Sequence, residues 1–225
     1  MSHPAEQAAV LTVRAVLFDM DGTLVDSTAV VEQVWTEFAE RHGLDIEEIL
    51  RTSHGVQAGD TVRRFAPAGA DLAALTAELG EMERTRTDGV IALPGATALL
   101  AALPDEAIAL VTSADRILAD VRMRAAGLAM PTTAVTAEAV TRGKPDPEGY
   151  LKAAALLGAG PADVVVFEDA PAGIAAARAA GMRTVVVGDA GGELEPGMWR
   201  IRDYSAVTVT AVKDDDGGHL ISLAI

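Results

Sequence analysis

Five short runs of β-branched and aliphatic residues punctuate the chain, at residues 13–19, 107–112, 132–136, 163–168 and 183–188. Within each run the apolar positions are continuous rather than alternating, the pattern of parallel strands covered on both faces. The stretches between them carry apolar residues at helical spacing. "GATALLAALP" and "ADRILADVRMRAAG" flank the second run, and "DPEGYLKAAALLGAG" and "APAGIAAARAAGM" flank the fourth. Several of these end at a glycine, where a helix C-terminus favours a left-handed residue. Alternating strand and helix predicts an α/β fold with a doubly wound parallel sheet.

Two regions break the alternation. From Ser27 to about Gly89 the pattern is helical throughout. Ser27 is placed to cap "TAVVEQVWTEFAERHG", Gly43 to stop it, and "DLAALTAELGEMERTRTDG" reads as a further helix ending at Gly89. An insert directly after the first strand lies beside that strand's C-terminal edge, where open α/β sheets bind ligands, so it is expected to act as a lid. The tail carries two strand-like runs, "SAVTVTAV" and "HLISLAI", joined by "KDDDGG". This predicts a C-terminal β-hairpin extending or flanking the sheet. The expected division is a core of residues 1–25 and 90–225, with a helical cap of residues 26–89.

The strand ends collect the chemistry. The first run delivers Asp19 and Asp21, the second Thr112 and Ser113, the fourth Glu168 and Asp169, and "TRGKPDP" adds Lys144. Each piece alone is an ordinary turn or helix cap; their joint placement, in order and at one sheet edge, is not. Carboxylates from separate strands crowd together where a cation holds them. With only hard oxygen ligands on offer, Mg²⁺ fits best, because it commonly pairs a few carboxylates with a substrate phosphate. Thr112, nearby backbone N–H groups and Lys144 would then hold the phosphate oxygens.

Composition narrows the choice. The chain has 225 residues, half of them hydrophobic, enough for one sizeable core with a smaller insert. It contains no cysteine, which excludes disulfides, a thiol nucleophile and a zinc–thiolate site. Against 33 acidic residues stand 18 basic ones, a net charge of −15, which argues against a nucleic-acid partner. The first residues lack a basic start and a long apolar stretch, and no apolar run approaches the ~20 residues that span a bilayer. The expectation is a cytoplasmic protein with no membrane partner, a monomer or homodimer.

These residues resemble the four motifs of the haloacid dehalogenase superfamily of phosphohydrolases: "DMDGT" is similar to the first, "VTS" to the second, "RGKPDP" to the third and "FEDAPAGIAAARAAGM" to the fourth. The insert resembles the helical cap of the β-phosphoglucomutase-like subfamily. That resemblance implies a Rossmann-like core, Mg²⁺, and hydrolysis or transfer of small phosphate monoesters. Asp19 would be the nucleophile that forms an aspartyl-phosphate, and Asp21 the general acid and then base. Asp19, the backbone carbonyl of Asp21 and Asp169 would hold the metal, with Glu168 supporting them. Thr112 and Lys144 would bind the phosphoryl group, and Ser113 would contribute its backbone N–H.

Within that subfamily the choice is between hydrolase and mutase. Mutases resembling this chain carry an aliphatic residue where Thr23 stands, a histidine in the following helix, and a cap-loop arginine for a second phosphate. Here the helix reads "STAVVEQVW", and Gln57 and Ala58 stand at the arginine's place, with Arg63 and Arg64 further on. The cap loop "SHG" and the C-terminal hairpin look like those of sugar phosphatases and of yeast-type glycerol-3-phosphate and 2-deoxyglucose-6-phosphate phosphatases. His54 and Gln57 are the candidate substrate-facing cap residues. The expectation is a Mg²⁺-dependent phosphatase for small sugar or polyol phosphate monoesters. A phosphosugar mutase is the alternative and a non-enzymatic phosphoacceptor domain the remote one.

Overall fold

A computed structural model of the chain describes residues 9–189, 192–213 and 218–225. The first strands are β1 (Val10–Val13) and β2 (Ala15–Phe18), the second wholly buried. A two-residue strand, β3 (Val25–Asp26), leads into the insert, which consists of α1 (Thr28–His42), α2 (Ile46–Thr52), α3 (Ala58–Phe65) and α4 (Leu72–Thr85). The chain leaves the insert through β4 (Ile91–Ala92), which pairs antiparallel with β3. The insert is therefore helical, as expected, but tied at its base by a small ribbon too short to give a sequence pattern.

The rest alternates: α5 (Ala96–Ala102), β5 (Ile108–Val111), α6 (Arg116–Ala125), β6 (Thr133–Val135), α7 (Glu148–Leu156), β7 (Val164–Glu168), α8 (Pro171–Ala179) and β8 (Arg183–Val187). A further strand, β9 (Met198–Ile201), pairs parallel with β8 and completes a six-stranded sheet in the order β6-β5-β2-β7-β8-β9. All its pairings are parallel. The five sequence runs are its first five strands; β9, half-buried and interrupted by Arg200, escaped the pattern.

The hairpin is present as β10 (Thr208–Lys213) and β11 (His219–Ala224). Residues 214–217 of its connection lie outside the described residues. It flanks the main sheet as a separate antiparallel sheet, with β1 as its third strand.

Apolar burial follows the two sheet faces. Leu17, Val111, Val164 and Val166 pack with Tyr150, Ala153, Ala176 and Ala177 of α7 and α8. Val16, Phe18, Val165 and Phe167 face the opposite way, towards a larger core that includes Leu99, Leu118, Ile221 and Leu223. The rings of Phe18 and Phe167 stack at 5.2 Å across adjacent strands. In the insert, Phe38, Ile49, Val62 and Leu79 form the buried centre, and α1 stops at Gly43, at φ +64°, as its sequence indicated.

The order of strands positions the site. The chain leaves β2 through the insert to β5 on one side, and later returns to β7 on the other. β2 is thus the switch point where the sheet's winding reverses, and the crevice beyond its C-terminal end is the natural ligand site. The register sets Phe18 beside Leu110 of β5 and beside Phe167 of β7. The residues that follow each strand therefore meet at one edge.

Candidate active site

Asp19 directly follows β2 and is buried, its amide donating to Phe167 O at 3.0 Å, which fixes its backbone at the strand end. Lys144, also buried, donates to Asp19 Oδ1 at 2.5 Å and to Glu168 Oε2 at 2.8 Å. Burial, then the neighbouring Glu168, push the Asp19 carboxyl up to about 7, against the pull of Lys144. Burial works against the Lys144 ammonium, but Asp19 and Glu168 outweigh it and hold its pKa above the ordinary lysine value.

Glu168 is fully buried and each of its oxygens accepts two hydrogen bonds. Oε2 also accepts from Tyr150 Oη at 2.5 Å, while Oε1 accepts from the amides of Asp169 and Ala170 at 3.2 and 3.0 Å. It fits only because position 173 on α8 lacks a side chain; a Cβ there would lie 1.7 Å from Glu168 Oε2. Asp169 Oδ1 accepts from Thr23 Oγ1 at 2.8 Å, and burial together with Glu168 and Asp19 raises its pKa well above the usual carboxylate range.

Asp19, Glu168 and Asp169 converge, with one oxygen from each lying within 4.8 Å of the others. Three crowded carboxylates share a single ammonium, and two of them are held towards the neutral form. A divalent cation fits this trio, since it would relieve the repulsion and every donor is a hard oxygen. The Asp21 side chain points elsewhere. Its Oδ1 accepts from Ser27 Oγ at 2.6 Å and its Oδ2 from Arg122 Nη1 at 2.6 Å. Any share it takes in a cation site therefore falls to its backbone. The Ser27 hydroxyl, expected to cap α1, makes no cap hydrogen bond and is spent on Asp21 instead.

Above the acids lies a cavity of about 420 Å³, walled by the core on one side and the insert on the other. Asp19, Asp21, Thr112, Ser113 and Asp169 form its floor, and His54, Trp35, Thr76 and Arg84 belong to the insert side. Thr112 is buried, its Oγ1 accepting from Ala114 N at 3.1 Å. Ser113, for which only a backbone contribution was expected, sends its hydroxyl across the divide to Gly55 O at 2.7 Å. Gly55 has a φ of +76°, and a Cβ there would stand 2.8 Å from Ala170 Cβ, so glycine lets the cap loop seat on the fourth motif.

The two cap candidates separate. His54 lines the cavity beside Ser53 and Gly55. Gln57 does not; its Nε2 donates to Ala137 O at 3.2 Å, and it borders a crevice of about 20 Å³ with Thr112, Ser113, Gly143 and Lys144. Arg63 and Arg64 pair with Asp60 and Glu48 on the insert surface, outside the residues that line the cavity. Sequence reasoning missed Arg122, Glu83 and Tyr150, which the fold brings to Asp21 and Glu168. The charge of Arg122 on an otherwise apolar helix face was the available signal.

A parallel sheet with a carboxylate, an ammonium and an acid cluster at its switch point, roofed by a helical insert, brings together the parts that phosphoryl transfer uses. A family model described as haloacid dehalogenase-like hydrolase matches residues 13–181. The chain belongs to that family. It is 49% identical over 175 residues to hexitol phosphatase A of Escherichia coli, covering 76% of this chain and 81% of that protein. Over 186 residues it is 38% identical to glycerol-1-phosphate phosphohydrolase 1 of Saccharomyces cerevisiae, covering 78% and 74% of the two chains. Among solved structures, a hydrolase from Pseudomonas syringae superposes with a TM-score of 0.73 at 28% identity, covering 83% of this chain and 92% of that one.

Proposed function

We propose that the chain is a Mg²⁺-dependent phosphatase that hydrolyses small sugar or polyol phosphate monoesters through an aspartyl-phosphate on Asp19. The observation that carries this reading is the juxtaposition of Asp19 and Asp21 on the floor of a cavity whose other wall is the helical insert. The relatives named for hexitol and glycerol-1-phosphate chemistry support the substrate class. Arg63 and Arg64 lie away from the cavity, which gives a mutase no second phosphate anchor at those positions.

In this reading a phosphate monoester lies with its phosphorus over Asp19. The Asp19 carboxylate attacks, the phosphorus–ester oxygen bond breaks, and the carboxyl proton of Asp21 passes to the departing alkoxide. Water then attacks the same phosphorus and gives its proton to Asp21 as the bond to Asp19 breaks and phosphate leaves. Thr112, the amide of Ser113 and Lys144 hold the phosphoryl oxygens, where fixed donors stabilise the charge that builds up. Mg²⁺, held by Asp19, Asp169 and the Asp21 carbonyl with Glu168 in support, would supply further positive charge and keep Asp19 ionised.

His54, which lines the cavity, is the insert residue assigned to substrate selection; Gln57 is instead assigned to holding the cap loop on the core through Ala137 O. The ribbon of β3 and β4 is the hinge, separating a cap of residues 26–89 from the core. Among the described residues no helix is long and apolar enough to cross a membrane. A cytoplasmic site, where small phosphate monoesters are made and kept, suits this chemistry. The test is phosphate release from a panel of hexitol, glycerol, sugar and nucleotide monophosphates, with and without Mg²⁺. Release from polyol and sugar esters only with Mg²⁺ is expected. Isomerised product without free phosphate would establish the mutase instead, and phosphorylation without turnover the phosphoacceptor.

A further inference from the structure

Asp21 is reached by a second residue whose own partner lies in the insert. Arg122, on core helix α6, donates through Nη1 to Asp21 Oδ2 at 2.6 Å and through Nη2 to Glu83 Oε1 at 3.0 Å. Glu83 belongs to α4, the last helix of the insert. The side chains of Arg122 and Glu83 are 6% and 8% exposed, whereas that of Asp21 is 28% exposed and opens on the cavity. Two turns earlier, at the N-cap of α6, Asp115 accepts from Leu118 N at 2.8 Å, and it also pairs with Arg84 of α4. The two helices are thus joined by crossed charge pairs, an acid of each with an arginine of the other.

A buried ion pair of this kind is weak evidence of stabilisation, because desolvation offsets much of its attraction. What it supplies is direction. The guanidinium is a rigid planar fork, so fixing one Nη on Glu83 fixes where the other points. With Ser27 on its remaining oxygen, the Asp21 carboxyl is held from both sides. We propose that Arg122 and Glu83 are positioning residues for Asp21: α4, when seated on α6, orients through Glu83 the guanidinium that aims the Asp21 carboxyl at the departing oxygen. This rests on Asp21 as the proton donor. It makes alignment of the donor depend on the position of the insert, so the acid is aligned only when the cavity is roofed.

The leaving group tests it. An alkoxide needs the Asp21 proton as the phosphorus–oxygen bond breaks; a p-nitrophenolate departs without one. kcat/KM contains only the steps up to release of the first product, so it isolates this proton transfer from the later attack of water. The measurement compares wild type, Arg122→Lys and Glu83→Gln on glycerol 1-phosphate, sorbitol 6-phosphate and p-nitrophenyl phosphate. Lysine keeps the charge but lacks the fork, and glutamine keeps the shape of Glu83 without its charge, so one variant carries the test if the other fails to fold. Expected is a loss in kcat/KM of about 10- to 100-fold on the alkyl esters and less than about 3-fold on the aryl ester. Equal losses on all three esters would make the pair merely structural, and no loss on the alkyl esters would remove any role; either overturns the proposal. A wild type that releases phosphate from none of the three would instead overturn the phosphatase reading beneath it.

Discussion

Lys144 Nζ stands 2.5 Å from Asp19 Oδ1 and 2.8 Å from Glu168 Oε2, so one buried ammonium is shared by the acids that end two neighbouring strands. Removing one member of a buried charge cluster leaves its partners uncompensated, at about 3–5 kcal/mol. Lys144→Met is therefore expected to lower Tm and to cut kcat/KM for phosphate release by at least about 100-fold, since a donor to the phosphoryl group goes with it. Thermal unfolding and a phosphate assay on one preparation check both effects. A variant with wild-type Tm and activity would show that the ammonium neither holds the acids nor binds phosphate.

The crowded acids also give the metal-free protein a pH dependence of definite sign. The folded pKa of Asp19 is raised from 3.8 to about 7, and that of Asp169 is raised as well. A carboxyl raised on folding contributes stability in its protonated form, present in full below its unfolded pKa and lost as pH climbs through the folded one. The Tm of the protein in chelator is expected to fall between about pH 4 and pH 7 for this reason. Added Mg²⁺ should raise Tm more at pH 8 than at pH 5, because Asp19 and Asp169 need the cation only when they are ionised. A metal-induced shift that is larger at pH 5 would contradict the assignment.

Gly55 is the point where the insert touches the fourth motif. A methyl group there meets Ala170 Cβ at 2.8 Å and sits on a backbone of positive φ. Gly55→Ala should keep the insert from seating, lose the Ser113 contact and lower kcat/KM for a polyol phosphate by about 10-fold or more, given how steeply rates depend on positioning. Ser113→Ala, which removes only the 2.7 Å hydrogen bond, should cost less, about 1 kcal/mol or roughly fivefold. Steady-state kinetics on the two variants checks the order, and a larger loss in Ser113→Ala would reverse it.

Much of this architecture was legible in the chain because parallel strands buried on both faces leave an unbroken apolar signature, as in β2, β5 and β7. β1 left none that could be placed, since its partner is some 200 residues away, Val10 lying opposite Ala224. β9 was hidden by its partial burial and by Arg200. The acids and hydroxyls at the ends of β2, β5 and β7 were readable for the same reason as the strands: topology delivers them to one edge whatever the helices do. Glu83 and Tyr150 were not, because a charge or ring on a helix has no sequence mark that tells a solvated face from one turned into a site, and the charge of Arg122 on an apolar helix face marked the residue without naming its partners. Gln57 illustrates the same limit. Its position in the cap loop was clear, but its side chain turns to Ala137 rather than into the cavity.

Asp19→Asn tests the central claim most directly. The amide keeps the volume and the place of the carboxyl but cannot attack phosphorus as a carboxylate does. The measurement is inorganic phosphate released from a polyol phosphate in the presence of Mg²⁺, with circular dichroism run alongside to confirm the fold. The account predicts release at background level from a folded protein. Release near the wild-type rate would contradict it, and the nucleophile would have to be sought elsewhere in the cavity.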